Sequence, residues 1–227
     1  MKIAEVFYSI QGEGVLCGVP SVFLRTSGCN LRCEWCDTPY TSWKPEGEEW
    51  SIGRMADYVR LHSTGHVVVT GGEPMIQPQI GELTRAMRAM RQHITIETAG
   101  TVFQQVECDL MSISPKLQNS TPWNVEDGKW AAQHDRLRYQ PEVLQKLMAG
   151  HDYQLKFVVR QPDDLEEVGR VVAEVKAERG KVLLMPEGIT AGQLAARGEW
   201  IVEACKTYGY RYTPRLHVEL WGNRRAV

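Results

Sequence analysis

The sequence predicts an α/β fold: a sheet of parallel strands, open or curled into a partial barrel, with helices packed outside it. Three observations predict it. Apolar blocks of strand length recur along the 227 residues, amphipathic helical patterns fall between several of them, and the run at 66–70 is β-branched without polar alternation. Alternating strand and helix signals imply βα units, and a strand without alternation is one covered on both faces. Functional loops of such a sheet leave the carboxyl ends of its strands.

In chain order, residues 3–7 and 21–26 read as the first two strands. A helix follows where Ile52, Met55, Ala56 and Val59 recur at helical spacing, and it leads into the strand His66-Val67-Val68-Val69-Thr70. Ile80, Leu83, Met87 and Met90 mark the next helix, after which strands are expected at 94–97 and 110–114. Residues 118–140 break the pattern. They are polar, hold Trp123 and Trp130 and show no periodicity, so they read as an irregular insertion or flap. Beyond them a strand at 155–159 precedes a helix in which Leu165, Val168, Val172 and Val175 follow the acids Asp163 and Asp164, with Gly180 as stop signal. Strands at 182–185 and 211–213 flank a last helix over 191–208. No Pro/Gly/Ser linker cuts the chain, so residues 1–227 are expected to form a single domain.

Composition narrows the function. With 43% hydrophobic and 24% charged residues, this is the profile of a soluble globular chain able to bury a substantial core. The formal charge is -2 and the Lys and Arg residues are scattered among acids, which excludes the footprint of a nucleic-acid binder and favours a small partner. Residues 1–11 cannot form the apolar core of a signal peptide, and no apolar run approaches the roughly 20 residues a membrane helix needs. A cytoplasmic protein without membrane contact is expected.

Three of the six cysteines lie between 29 and 36, and three are isolated at Cys17, Cys108 and Cys205. In a reducing compartment such clustering favours metal ligation, while the isolated three read as small buried apolar residues. Cys29-Asn30-Leu31-Arg32-Cys33-Glu34-Trp35-Cys36 has the spacing C-x3-C-x2-C directly after a predicted strand. A loop of this kind wraps three thiolates, Cys29, Cys33 and Cys36, around a four-iron four-sulfur (4Fe-4S) cubane and leaves one iron open. Such an iron can accept the amino and carboxylate groups of S-adenosylmethionine (SAM), so that one electron can cleave its carbon-sulfur bond to a 5'-deoxyadenosyl radical, a chemistry carried by the cofactor and no side chain. The alternative is a non-catalytic zinc-binding interaction module. Zinc wants four ligands, and the closest histidine, His62, falls in a predicted helix.

Two motifs in the right order now resemble a family. The cysteine spacing is similar to the radical SAM signature, and Thr70-Gly71-Gly72-Glu73-Pro74 to that superfamily's GGEP motif at a strand end. Phe7-Tyr8-Ser9-Ile10-Gln11-Gly12-Glu13-Gly14, Arg25, Cys36-Asp37-Thr38, Ser114-Pro115-Lys116 and residues 152–157 extend the likeness over most of the chain. Together they closely resemble the 7-carboxy-7-deazaguanine synthase family.

That resemblance implies a lyase that converts 6-carboxy-5,6,7,8-tetrahydropterin to 7-carboxy-7-deazaguanine with loss of ammonia, on the route to queuosine. Hydrogen leaves C6 of the pterin, the ring contracts, and returned hydrogen regenerates SAM. The resemblance also implies a partial (modified) TIM-like barrel, a homodimer, magnesium and a flavodoxin-like reductant. Residue by residue, Ile10, Gln11 and the Gly12 backbone would meet the pterin edge, with Thr70 as a further substrate contact. Arg25 would pair its planar fork with the substrate carboxylate, and the Thr38 hydroxyl would bind magnesium, a hard cation. Trp35, Cys36, Asp37, Gly72, Ser114, Pro115, Lys116, Gln154, Leu155, Lys156 and Phe157 would contact SAM. Contacts through the chain terminus do not transfer to residues 223–227, and His217 reads as a solvated or core histidine before a substrate contact. The rival enzyme is a glycyl-radical-activating enzyme, which acts on a large protein partner with the same cluster.

Overall fold

The computed structural model describes residues 1–227. Strands β1 (Lys2–Ile10), β2 (Pro20–Thr26), β3 (Glu48–Glu49), β4 (His66–Gly71), β5 (His93–Thr98), β6 (Leu110–Ile113), β7 (Tyr153–Val159), β8 (Val182–Pro186) and β9 (Arg211–Tyr212) join in the order β3-β1-β2-β4-β5-β6-β7-β8-β9. Neighbours from β2 to β9 run parallel. β3 and β9 remain as edges, so the barrel is partial. The expected α/β class and parallel sheet hold for these strands.

The two N-terminal pairings differ from that expectation. β1 pairs antiparallel with both β2 and β3, with Phe7 opposite Phe23. The segment 11–19 that joins β1 to β2 carries only a short 3-10 turn. A parallel crossover needs a dozen or more residues, so the chain turns back as a hairpin instead.

Helices α1 (Pro39–Ser42), α2 (Ile52–Arg60), α3 (Ile80–Ala89), α4 (Ala131–Arg138), α5 (Pro141–Gly150), α6 (Asp164–Val175), α7 (Ala191–Tyr208) and α8 (Leu216–Trp221) fill the connections and the C-terminus. The Ser51 hydroxyl caps α2 by accepting from the Arg54 N–H, and that helix buries Met55, Ala56 and Val59 as its spacing predicts. α6 stops before the anticipated Gly180, because Lys176 takes the left-handed conformation (φ 56°) and closes the last turn itself. α7 has the expected bounds, with Thr190 capping its start and Gly209 (φ 71°) its end.

Residues 118–140, expected to be irregular, hold two 3-10 turns and α4. The sequence of α4 has no apolar stripe to announce a helix, since what it buries is Ala131 and His134. α5 was not anticipated either; it starts on Pro141 and buries Leu144 and Leu147.

Strand alternation divides the sheet into two faces. Val67 and Val69 of β4, Ile94 and Ile96 of β5, and Leu155, Phe157 and Val159 of β7 enter the large core beneath the helices. Their neighbours Thr70, Glu97, Lys156 and Val158 line a cavity on the opposite side. Within that face Phe7 stacks on Phe23 with ring centroids 4.9 Å apart, and Val68 packs against the pair.

Candidate active site

The cavity measures about 460 Å³ and lies at the carboxyl ends of the parallel strands. One wall is the loop between β2 and α1. Cys29, Cys33 and Cys36 all line the cavity, around a small apolar nest of Leu31, Cys33 and Ala99. The Leu31 N–H donates to Cys29 Sγ at 3.3 Å, Ser42 Oγ lies 3.2 Å from Cys36 Sγ, and the Trp43 indole donates to the Cys33 carbonyl at 3.0 Å. Burial pushes the Cys29 thiol up to about 12, and raises Cys33 and Cys36 as well. Three thiols in a low-dielectric wall become thiolates only with cations beside them, so the donor set fits a group of iron ions. The remaining cysteines do not belong to it: Cys108 and Cys205 pack with the core, and Cys17 donates to the Gly12 carbonyl at 3.5 Å.

The Thr70–Pro74 turn presses against this loop. A Cβ on Gly72 would meet the Gly28 carbonyl oxygen at 2.2 Å and the Thr41 oxygen at 2.8 Å. Glycine is therefore imposed by the approach of two backbone segments, a reason additional to the expected approach of SAM. Glu73 is fully buried beneath the turn and accepts from Met75 N, Thr98 Oγ1 and Ala99 N at 3.0, 2.7 and 2.8 Å. It ties the β4 and β5 ends together.

Across the cavity lies a polar floor. Gln11 donates from Nε2 to Glu97 at 3.0 Å and accepts from the Glu13 N–H at 3.1 Å, which fixes the orientation of its amide. Thr70 Oγ1 donates to the other oxygen of Glu97 at 2.7 Å. Arg25 donates from Nε to Glu5 at 3.0 Å, and Glu5 also accepts from Tyr40 Oη and Arg225 Nε, both at 2.8 Å. Arg25 thus lines the cavity while belonging to an ion pair.

Glu13 anchors a second charged group. It pairs with Lys156 and, at 3.0 Å, with Arg215, whose guanidinium also pairs with Asp37 and donates to the Gly188 carbonyl at 2.7 Å. Burial alone would raise the Glu13 carboxyl, but Lys156 and Arg215 overcome it and hold it well below the usual carboxylate range. Asp37 behaves alike under Arg215. His217 sits in the cavity wall, and a Cβ on Gly12 would lie 2.0 Å from its Nδ1. Burial lowers its pKa. It lines the cavity, where the sequence reading was of a solvated or core histidine.

Of the expected site residues, Ile10, Gln11, Gly12, Arg25, Cys29, Cys33, Trp35, Cys36, Asp37, Thr38, Thr70, Gly72, Ser114, Lys116 and Lys156 come together around this one cavity. The others do not line it. Leu155 and Phe157 are fully buried in the core, because strand alternation turns them away from Lys156. Pro115 is not in the lining, and Gln154 lies beneath it, accepting from Val15 N at 2.8 Å and donating to Ser112 Oγ at 2.7 Å. Gln154 thereby holds up the loop that carries Gln11 and Gly12. Glu13, Glu97 and Arg215 line the cavity without having been singled out, and so does the tail 223–227, to which no terminal contact was carried over. Glu97 had a signal, a carboxylate at the end of a parallel strand; Arg215 had none.

The family model of the Radical SAM superfamily matches residues 23–115. A 7-carboxy-7-deazaguanine synthase of Halobacterium salinarum is 44% identical, over 98% of this chain and 91% of that protein. Another from Rhodopirellula baltica is 44% identical, over 100% of this chain and 89% of that protein. Among solved structures, the crystal structure of QueE from Escherichia coli superposes with a TM-score of 0.71 at 24% identity, over 95% of this chain and 94% of that one. The last is a likeness of fold.

Proposed function

We infer how the site works from one fact: the chain belongs to the 7-carboxy-7-deazaguanine synthase family of the radical SAM superfamily. It is a radical SAM lyase of queuosine biosynthesis, forming 7-carboxy-7-deazaguanine from 6-carboxy-5,6,7,8-tetrahydropterin with loss of ammonia. The observation that carries the reading of the site is that the three cysteines and the polar floor of Gln11, Arg25, Thr70 and Glu97 face one cavity. The near-full-length identity weighs against a glycyl-radical-activating enzyme and against a zinc module.

When bound, the 4Fe-4S cluster and SAM supply reversible hydrogen-atom abstraction at C6 of the pterin. The chain's own residues bind and orient. Cys29, Cys33 and Cys36 would hold the cluster. Trp35, Asp37, Gly72, Ser114, Lys116 and Lys156 line the same cavity and would supply its SAM contacts. Arg25 takes the substrate carboxylate with its terminal nitrogens, since Nε is spent on Glu5. Gln11, locked by Glu97 and the Glu13 N–H, presents a fixed amide to the pterin, and Ile10, Gly12 and Thr70 complete that side. The reading also includes a single domain, a homodimer and a flavodoxin-like reductant.

Thr38 is the proposed magnesium ligand. Its Oγ1 lies 3.9 Å from Cys36 Sγ and accepts from Thr41 Oγ1 at 3.3 Å, which puts a hard oxygen donor beside the cysteine wall. Thr38→Ala is expected to raise the magnesium concentration giving half-maximal rate, with SAM binding changed much less. A magnesium titration of both proteins reads this directly, and superimposable curves would remove Thr38 from the magnesium site.

A further inference from the structure

The segment 118–140 packs onto the cluster loop through several separate contacts. The Glu34 N–H donates to the Ser120 carbonyl at 2.8 Å, and the Trp35 indole to the Asn119 carbonyl at 3.0 Å. The Arg32 N–H, between Cys29 and Cys33, donates to His134 Nδ1 at 3.0 Å. The Arg32 guanidinium stands 5.0 Å from the Trp130 ring centroid while bonding the Cys29 and Leu31 carbonyls at 2.8 and 2.7 Å. One turn along α4 from His134, Leu137 packs against the nest of Leu31 and Cys33.

His134 is the residue on which this arrangement turns. It is 1% exposed and both ring nitrogens are used. Ser120 Oγ spends its proton on the Leu117 carbonyl at 2.6 Å, so at 2.9 Å it accepts from His134 Nε2. The ring is thereby fixed as the tautomer protonated on Nε2, which leaves Nδ1 as an acceptor. A backbone N–H turned from solvent needs an acceptor, and for the part-buried Arg32 N–H it comes from 102 residues away in sequence.

We propose that His134 is a positioning residue for the cluster: its Nδ1 anchors the Arg32 N–H and sets the path of the loop from Cys29 to Cys33. The inference rests on the radical SAM reading of the three cysteines. Side-chain stereochemistry supplies the discriminating variants. In His134→Asn the side-chain amide oxygen stands near the place of Nδ1 and keeps the Arg32 bond, whereas the longer amide in His134→Gln reaches toward Ser120 and does not. His134→Phe removes both.

Two readouts on the full chain test it. In the metal-free protein, exchange of the Arg32 amide is expected to accelerate about tenfold in His134→Phe and His134→Gln, and to stay near wild type in His134→Asn. After reconstitution, the paramagnetic resonance spectrum of the reduced, SAM-bound cluster is expected to change in the first two and to be restored in the third. Should His134→Phe fail to fold, the Gln and Asn pair carries the comparison. Equal exchange and equal spectra in the Gln and Asn variants would overturn the proposal. A wild type that holds no iron would instead overturn the cluster reading, while leaving the exchange pattern as described.

Discussion

Replacing Cys29, Cys33 or Cys36 with Ala is expected to abolish cluster retention and turnover, while Cys17→Ala, Cys108→Ala and Cys205→Ala keep iron near the wild-type content. The two groups differ in surroundings, not only in spacing. The first three line one cavity wall on a loop that crosses the carboxyl end of the sheet. Removing one leaves two thiolates for a cubane already short of a fourth cysteine, and the remaining ligands cannot close around it. The second three have no such company. Cys205 is buried in the core and Cys108 packs against it, where burial pushes their thiols up to about 11 and 12. Neither lines the cavity, and their loss is expected to remove only packing. Iron analysis of the six variants checks this, and equal iron loss in both groups would refute the assignment.

How much of this was legible follows from the range over which each signal acts. Short-range patterns carried through: the valine run of β4, the helical spacing of α2 and α3, and the bounds of α7 with Thr190 and Gly209 at its ends. That Cys29, Cys33 and Cys36 line one cavity was equally legible, because a single loop carries all three. Hairpin or crossover at β1 and β2 depended on the length of the connection, which was there to be read. So was strand parity in β7, which puts Leu155 and Phe157 on the core face and Lys156 on the cavity face. The rest was hidden by sequence distance. Glu13 meets Arg215 from 202 residues away and Arg32 meets His134 from 102, and no local pattern marks either pair. α4 was hidden for a different reason: its buried side is an alanine and a histidine, which no apolar periodicity reveals.

Arg25→Ala is expected to weaken use of the carboxylated pterin by about tenfold or more, since a charge-assisted contact of this kind is worth roughly 1.5 to 3 kcal/mol. The fold should tolerate the change. Glu5, which Arg25 now pairs, keeps Tyr40 and Arg225 as partners at 2.8 Å each. Arg25→Lys retains the charge and loses the planar fork, so it should recover only part of the loss. Because the proposed contact is to the pterin and not to the cluster, uncoupled SAM cleavage by reductant should persist in both variants. Rates of product and of 5'-deoxyadenosine formation, compared across wild type and the two variants, separate these effects. Unchanged product formation in Arg25→Ala would mean that the carboxylate binds elsewhere in the cavity.

Turnover tests the lyase activity most directly. The reconstituted protein is incubated anaerobically with magnesium, a low-potential reductant, excess 6-carboxy-5,6,7,8-tetrahydropterin and a limiting amount of SAM. 7-Carboxy-7-deazaguanine is expected in excess of the SAM supplied, because returned hydrogen regenerates it. Cleavage of SAM to 5'-deoxyadenosine with no deazaguanine product would contradict it.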